Sequence, residues 1–322
     1  MTATPATPVG GGQVAAIDCG TNTVKLLITG PAGEQVREMR MVRLGEGVDR
    51  TGRLAPAALA RTFMALEEYA ALIAAHDVRR VRFCATSASR DAENAAEFVA
   101  GVRARLGCEP EVVSGEEEAS LAFGGAVAAL AGAPEPLVVM DVGGGRTELI
   151  AGTATPVPTP TAAHSMDIGS VRLTERHLLS DPATPAEQAA LLADVDAALD
   201  ACPVDPAGAA TLVGVAGTVT TLAAGVLGLT EYDRDALHRA RLATDDVVAL
   251  VERLAAMPVA ERRHLPWLHP GRADVIVAGG LIVTRVLERA GAAELVVSEC
   301  DILDGIAASM LPGLPGLPGL PG

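Results

Sequence analysis

The chain has 322 residues, 49% of them hydrophobic, and carries a formal net charge of −15 at neutral pH. A chain of this length and apolar content predicts two domains, each with its own core. The strong negative charge argues against general binding to nucleic acids or anionic membranes, because both kinds of binding begin with a positive protein surface.

Both ends of the chain lack the patterns of folded elements. Residues 1–12 have neither a basic segment nor an apolar run, so they predict a flexible leader and not a signal peptide. Four Leu-Pro-Gly repeats fill residues 311–322 and predict a disordered tail. The five cysteines are far apart and include no Cys-x-x-Cys pair, which disfavours a zinc site or a disulfide framework and indicates a reducing cytoplasm.

Strands and helices alternate along the first half. Two apolar runs, VAAIDCG and VKLLITG, predict strands joined by a tight turn, and residues 55–76 have the spacing of an amphipathic helix. The remaining predictions are a strand at VRRVRFCAT, a helix over 91–106, a strand at EPEVVS and a helix that begins near Glu116.

The second half repeats this alternation. Strands are predicted at LVVMDVGGG, TELIAG, TLVGVAG, ADVIVAG and ELVVSE, with helices over 184–199 and 244–256 and one directly after TLVGVAG. Residues 207–230 carry no charge, but their glycines and threonines favour a buried strand followed by a buried helix over a membrane span. Alternating strands and helices predict an α/β fold.

An internal repeat relates the two halves. Residues 14–28 (VAAIDCGTNTVKLLI) align without a gap onto residues 137–151 (LVVMDVGGGRTELIA), so that Asp18 matches Asp141. Two short apolar strands can resemble each other by chance. The shared Asp-x-Gly favours duplication and predicts two similar domains that face each other across a cleft.

The two repeated loops have the chemistry of phosphate-binding turns. A carboxylate at the end of a buried strand points to whatever lies beyond the sheet edge, and small residues after it let backbone amides turn towards an anion. Gly143, Gly144 and Gly145 provide such a turn, while Thr21, Asn22 and Thr23 add polar donors in the first loop. The alternative for the triple glycine is an ordinary tight hairpin.

The segment SGEEEA, residues 114–119, combines three glutamates with a helix start. Acidic residues favour the first turn of a helix because of its dipole, so a structural explanation is available. The segment lies just before the crossover into the second half, where a glutamate can face the cleft and act as a general base towards water.

Three strand-to-helix junctions are further candidate anion sites. CATSASRDAEN (84–94) offers hydroxyls and Arg90 at a helix start, although helix capping explains the same residues equally well. GVAGTVTTLA (214–223) and GRADVIVAGG (271–280) have the same character, and their alternative is close packing of helix on sheet.

Taken in order, these motifs resemble the exopolyphosphatase/guanosine pentaphosphate phosphohydrolase family, which lies within the superfamily of sugar kinases, actin and heat-shock ATPases. The matching segments are AIDCGTNTVKLLI, ATSASRDAEN, VVSGEEEASLAFGGA, MDVGGGRTELI, GVAGTVTTLA, GRADVIVAGG and SECDILDG, which extend over residues 14–306. The resemblance implies an α/β fold of two ribonuclease-H-like domains, residues 13–131 and 132–310, on either side of an active-site cleft.

The resemblance also implies magnesium-assisted hydrolysis of phosphoanhydride bonds, with a role for each matching residue. The catalytic glutamate falls on Glu118, with Glu117 as its neighbour, and the acids expected to hold Mg²⁺ fall on Asp141 and Glu148. The expected phosphate-binding residues are Asp18, Gly20, Thr21, Asn22, Thr23, Arg90, Gly143, Gly144, Gly145, Arg146, Thr147, Gly217 and Thr218.

One residue departs from the family pattern. The family loop usually reads Asp-x-Gly-Gly-Gly-Ser-Thr-Glu, and Arg146 stands here in place of the serine. Arg146 therefore either contacts phosphate itself or alters the metal and phosphate geometry of the loop.

The resemblance predicts an exopolyphosphatase-like hydrolase. The chain stops after the second domain, from which we expect a preference for short polyphosphate. Guanosine pentaphosphate is the alternative substrate, a sensor that binds phosphate or alarmone without turnover is the alternative class, and a kinase is disfavoured by the Glu118 motif. A cytoplasmic homodimer is expected.

Overall fold

The computed structural model describes residues 12–85, 92–130 and 132–311, and for Asp49 and Arg50 only the backbone. The expected leader and tail lie outside the described residues except for Gly12 and Leu311. The chain divides into two compact units. The first contains the described residues up to Ser114 together with those from Ile306 onwards, and the second is Gly115–Gly305.

The first unit is built on a five-stranded sheet with the order β3-β2-β1-β4-β5. Its strands are β1 Val14–Cys19, β2 Thr23–Gly30, β3 Gly33–Met41, β4 Arg80–Ala85 and β5 Glu111–Val112. Strand β1 pairs antiparallel with β2 and parallel with β4, and the remaining pairs are β2–β3 antiparallel and β4–β5 parallel.

Among the described residues, the helices that lie wholly in the first unit are α1 Val48–Thr51, α2 Pro56–Ala75 and α3 Ala95–Leu106. Proline at the first position suits the start of α2, because its missing N–H has no intrahelical acceptor there. Tyr69 of α2 is fully buried, and its hydroxyl donates to the Val24 carbonyl at 2.9 Å. Phe83 of β4 meets Phe98 of α3 edge to face, so both long helices close the core over the sheet.

The second unit contains a six-stranded sheet with the order β10-β11-β9-β6-β7-β8. The strands are β6 Leu137–Val142, β7 Thr147–Thr153, β8 Thr159–Met166, β9 Thr211–Val215, β10 Arg241–Ala243 and β11 Glu294–Val297. Its helices are α4 Gly115–Val127, α5 Ser170–His177, α6 Pro185–Ala201, α7 Ala216–Val226, α8 Arg234–Leu237, α9 Thr244–Ala256, α10 Val259–Arg262 and α11 Ile276–Ala290. A last helix, α12 Ile302–Met310, runs past the division between the units at Gly305.

The repeat seen in the sequence is also present in strand pairing. In each unit the repeated hairpin is flanked by an antiparallel third strand on one side and a parallel strand on the other. The register is the same, since Asp18 lies opposite Lys25 and Asp141 lies opposite Glu148. The prediction of an α/β fold with two related sheets is therefore confirmed. Within the described residues no helix is long and apolar enough to cross a membrane.

The prediction of a strand at ADVIVAG is wrong, because helix α11 begins within this segment, at Ile276. Residues from Ile276 to Thr284 are all buried, so the first part of this helix lacks the polar face that marks an amphipathic helix. A short apolar run of this kind cannot be distinguished from a buried strand by periodicity. The uncharged segment 207–230 does contain the expected buried strand and helix, β9 and α7.

Helices α4 and α12 cross where both have a glycine. A Cβ atom on Gly125 would come within 2.8 Å of the Gly305 amide nitrogen, and one on Gly305 within 2.7 Å of the Leu121 carbonyl carbon. These neighbours are backbone atoms that cannot rotate away. Small residues at the crossing therefore fix the depth to which α4 packs.

Gly125→Ala tests this crossing. The added methyl group forces two backbones apart, and we expect the free energy of unfolding to fall by about 1–3 kcal/mol, the usual cost of overpacking. Gly208→Ala is the matched control, because a Cβ there meets nothing within 4 Å. Denaturant unfolding should separate the two variants, and equal stability would contradict the close crossing.

The hydrogen bonds to Glu187 predict that the stability of the fold depends on pH. Its carboxylate accepts hydrogen bonds from Thr184 and Ser180 at the start of α6, and those from the Thr184 backbone contribute most to holding its pKa at about 2. A carboxyl with a lowered pKa stabilises the fold above its unfolded-state pKa and loses that contribution as the pH falls. The melting temperature of Glu187→Gln should therefore lie below that of wild type above about pH 5 and converge with it near pH 2. A gap that does not change with pH would contradict this.

Candidate functional site

The first glycine loop joins β1 to β2 and closes as a tight turn. The Gly20 amide donates to the Thr23 carbonyl at 2.9 Å. Behind the turn, the Asn22 carbonyl accepts from the Val42 and Arg43 amides at 2.9 and 2.8 Å. The loop carbonyls are therefore held by the segment that follows β3.

The second loop closes in the same way, since the Gly143 amide donates to the Arg146 carbonyl at 2.9 Å. Its carbonyls are held by the first residues of α5. Ser170 N donates to Gly143 O at 2.9 Å, Val171 N to Gly144 O at 2.8 Å, and Arg172 Nε to Gly145 O at 2.8 Å.

This arrangement orients the loop for an anion. Within the described chain the backbone amides of Gly144 and Gly145 have no hydrogen-bond acceptor, while their carbonyls are bound from behind. Successive outward amides of this kind form an anion-binding nest. Gly169 is needed for the close approach, because a Cβ atom there would lie 2.5 Å from Gly144 O and 2.6 Å from Arg146 N.

Two carboxylates flank the second loop. Asp141 and Glu148 are paired across β6 and β7, an arrangement that places Cβ atoms about 5 Å apart on one face of a sheet. Ser165 donates to the Glu148 carboxylate at 3.1 Å. No three His, Cys, Asp or Glu side chains of the described residues form a metal cluster, so a cation at this pair would take its other ligands from water or substrate. That set suits Mg²⁺, which commonly binds one or two carboxylates plus substrate phosphates.

The matching pair in the first unit joins a carboxylate to a lysine instead of a second carboxylate. Lys25 lies across from Asp18, at the position that Glu148 occupies in the second unit. Sequence reasoning did not select Lys25. The alignment of the two repeats contains the signal, because it superposes this lysine on an acid expected to hold metal.

The glutamates at the start of α4 differ in the direction they face. Glu116 is exposed, whereas Glu117 and Glu118 are half-buried. Residues four apart share one face of a helix. Glu118 is therefore in a row with Ala122 and Ala126, which pack against the sheet core that contains Val139 and Ile150.

Glu118 therefore faces the second sheet on the side of its two acids. Asp141 follows Val139 by two residues and Glu148 precedes Ile150 by two, so alternation along the strands puts both carboxylates on the face that α4 covers. Glu117 instead shares its row with Leu121 and Gly125, which meet α12.

The junction between β9 and α7 supports the second loop from below. Ala216 has φ 64°, a left-handed conformation that is unusual for a residue with a side chain. The Thr218 hydroxyl donates to the Val142 carbonyl at 2.8 Å and is buried. Thr218 is thus bound to the strand end that leads into the glycine loop.

Arg272 is a second residue that the sequence did not reveal. Its Nη1 donates to the Gly217 carbonyl and to the Thr221 hydroxyl, so a half-buried guanidinium underlies the first turn of α7. Burial lowers the pKa of Arg272, and the nearby Glu299 opposes that shift. A Cβ on Gly217 would collide with this guanidinium, which explains the glycine by packing.

Three expected phosphate-binding residues have different surroundings. Thr147 is fully buried, and its hydroxyl has no partner among the described atoms. Arg146 is exposed, and its Nε lies 3.5 Å from Asp167 Oδ1. Arg90 lies outside the described residues.

The chain is similar to known proteins over most of its length. A model of the Ppx/GppA phosphatase family matches residues 34–314. Exopolyphosphatase 2 of Mycobacterium tuberculosis is 46% identical over 319 residues, which cover 92% of this chain and 98% of that protein. The solved structure of an exopolyphosphatase-like protein is 43% identical with a TM-score of 0.82, and it matches over 92% of this chain and 98% of its own.

A Ppx/GppA family structure from Aquifex aeolicus is similar over 93% of this chain and 97% of its own, with 32% identity and a TM-score of 0.80. The match to these solved structures over most of the chain confirms the resemblance that the sequence motifs show.

Thr218→Val tests the support beneath the second loop. It keeps the side-chain shape but leaves the Val142 carbonyl without its hydroxyl donor, so we expect a loss of about 1–3 kcal/mol in the free energy of unfolding. We also expect weaker orthophosphate binding, because Val142 leads directly into the loop. Thr218→Ser keeps the donor and is the matched control. Denaturation and calorimetric titration that fail to separate the two variants would contradict this support.

Proposed function

The chain belongs to the Ppx/GppA phosphatase family, and we propose that it is an exopolyphosphatase-like hydrolase that releases orthophosphate from the end of inorganic polyphosphate. An exopolyphosphatase that is 46% identical over nearly its full length supports this assignment. The structural observation that carries it is the second glycine loop, whose outward amides lie beside Asp141 and Glu148. This is a place for a terminal phosphoryl group flanked by acids.

The proposed reaction needs a bound phosphoryl group and an activated water. Amides of the second loop hold the terminal phosphate and stabilise charge on its oxygens. Glu118 orients a water molecule and accepts its proton while the water oxygen forms a bond to the terminal phosphorus. The phosphoanhydride bond breaks, and its electron pair stays on the oxygen at the new end of the polyphosphate. The polyphosphate leaves one phosphate shorter. The row that Glu118 shares with Ala122 and Ala126 supports this role over Glu117.

We assign Asp141 and Glu148 to a divalent cation and propose Mg²⁺. When bound, such a cation neutralises charge on the phosphoryl oxygens. The carboxylate pair itself keeps that cation beside the loop, while Ser165 fixes one carboxylate oxygen of Glu148. For the first loop we propose that Asp18, Gly20, Thr21, Asn22 and Thr23 form a phosphate-binding turn as well, with Lys25 as an added positive charge.

The preferred substrate within this chemistry stays a prediction. Guanosine pentaphosphate ends in the same phosphoanhydride linkage and is the alternative, and a preference for short polyphosphate is likewise a prediction. So are the homodimer and the cytoplasmic location. A sensor that binds without turnover is the outcome that would replace the hydrolase.

The test is phosphate release by purified protein with Mg²⁺ from short polyphosphate, long polyphosphate, guanosine pentaphosphate and ATP. Glu118→Gln should lower turnover by about 100- to 10,000-fold, the usual contribution of a general base, while binding persists. Glu116→Gln is the matched control, because this neighbouring glutamate is exposed.

Turnover of polyphosphate that Glu118→Gln removes and Glu116→Gln keeps would support the hydrolase with Glu118 as its base. Binding without turnover of any substrate by the wild-type protein would refute it. Equal losses in both variants would refute the role of Glu118 as the base but would leave the hydrolase assignment standing.

A further inference from the structure

Three charged side chains lie at the outer edge of the second loop. Arg146 Nε is 3.5 Å from Asp167 Oδ1, and Arg172 Nη2 is 3.8 Å from the same oxygen. The side chains of Arg146 and Asp167 are mostly exposed, at 57% and 74%, and that of Arg172 is 36% exposed. Two guanidinium groups thus converge on one carboxylate beside the candidate phosphate site.

Arg172 is fixed relative to the loop. Its Nε donates to the Gly145 carbonyl at 2.8 Å, and its backbone amide donates to the Gly144 carbonyl at 3.1 Å. Its Nη2 lies 3.8 Å from the place of a Cβ on Gly145. One edge of the planar guanidinium is therefore used by the loop, and the Nη groups remain for another acceptor.

The ion pairs that Arg146 and Arg172 form with Asp167 are weak enough for another anion to replace the carboxylate. Exposed ion pairs at such distances contribute little, because water screens them. Phosphate oxygens suit guanidinium better, since the planar fork can donate two parallel hydrogen bonds to one phosphoryl group. Asp167 therefore keeps both arginines near the loop when no anion is bound, and a bound anion replaces it as their partner.

We propose that Arg146 and Arg172 form a second anion subsite, which takes the internal phosphate next to the terminal one held by the loop amides. The subsite rests on the proposed function and adds to it the part of the site that distinguishes a phosphoanhydride chain from free orthophosphate. It also gives Arg146, which replaces the family's usual serine, a role of its own. Any ligand with a triphosphate end presents the same chemistry.

Binding measured by calorimetry in the Glu118→Gln background tests the subsite, with Mg²⁺ held constant. The probes are orthophosphate, tripolyphosphate and guanosine pentaphosphate. Arg146→Ser should raise the Kd for tripolyphosphate about tenfold or more, as expected for loss of charge-assisted hydrogen bonds. The Kd for orthophosphate should change less than about twofold, because that ligand fills only the terminal position.

Controls separate this effect from a general loss of charge. Arg176→Gln removes an exposed arginine one turn further along α5, where its partner is Asp194, and it should leave both Kd values unchanged. Arg172→Gln should also weaken tripolyphosphate binding, but it removes the Nε donor to Gly145 O and should weaken orthophosphate binding as well, so the selectivity of the loss is judged on Arg146→Ser. Asp167→Asn removes the competing carboxylate and should lower the Kd for tripolyphosphate several-fold, provided Arg146 is present.

The subsite is refuted if Arg146→Ser leaves tripolyphosphate binding unchanged or weakens orthophosphate binding equally. Weaker tripolyphosphate binding in Asp167→Asn would also contradict it. Equal selective losses for tripolyphosphate and guanosine pentaphosphate support recognition of the phosphate chain itself, whereas a loss confined to the nucleotide overturns it. Absence of wild-type turnover would refute the hydrolase but not the subsite, because the affinity ratio is measured without turnover.

Discussion

The carbonyls of the second glycine loop accept hydrogen bonds from the first residues of α5, and the candidate site depends on this contact. Because Ser170, Val171 and Arg172 hold Gly143, Gly144 and Gly145 from behind, the loop amides face the opposite way. A triple glycine alone would be free to adopt many conformations. The helix start converts it into a fixed anion nest, and Gly169 allows the two backbones to approach closely enough.

The two units contain hairpins of the same design, as the internal repeat predicts. The two hairpins have the same strand pairing and the same closing hydrogen bond, from Gly20 to Thr23 in one loop and from Gly143 to Arg146 in the other. The charges of the matching residue pairs differ. Asp141 lies opposite Glu148, a pair that suits a cation, whereas Asp18 lies opposite Lys25, a pair that joins a negative and a positive group.

The local features of this site could be predicted from sequence, and the long-range ones could not. Buried strands and Asp-x-Gly turns leave a local pattern, so both hairpins and both loops were predicted at the right residues. The contact of α5 with the loop joins residues about 27 positions apart and leaves no periodic pattern. The start of helix α11 was mistaken for a strand because its first nine residues are all buried. The family resemblance already favours Glu118 over Glu117, and the packing of α4 adds a physical reason that the local residue pattern does not contain.

The orientation of the second loop can be observed directly by selective ¹⁵N-glycine labelling and NMR during titration with orthophosphate. If the loop amides hold the terminal phosphate, the Gly144 and Gly145 resonances should move most and their amide exchange with solvent should slow. Gly208, which belongs to a different segment of the chain, should not move. Shifts spread over unrelated glycines, with Gly144 and Gly145 unchanged, would contradict the anion nest on which the site and its chemistry depend.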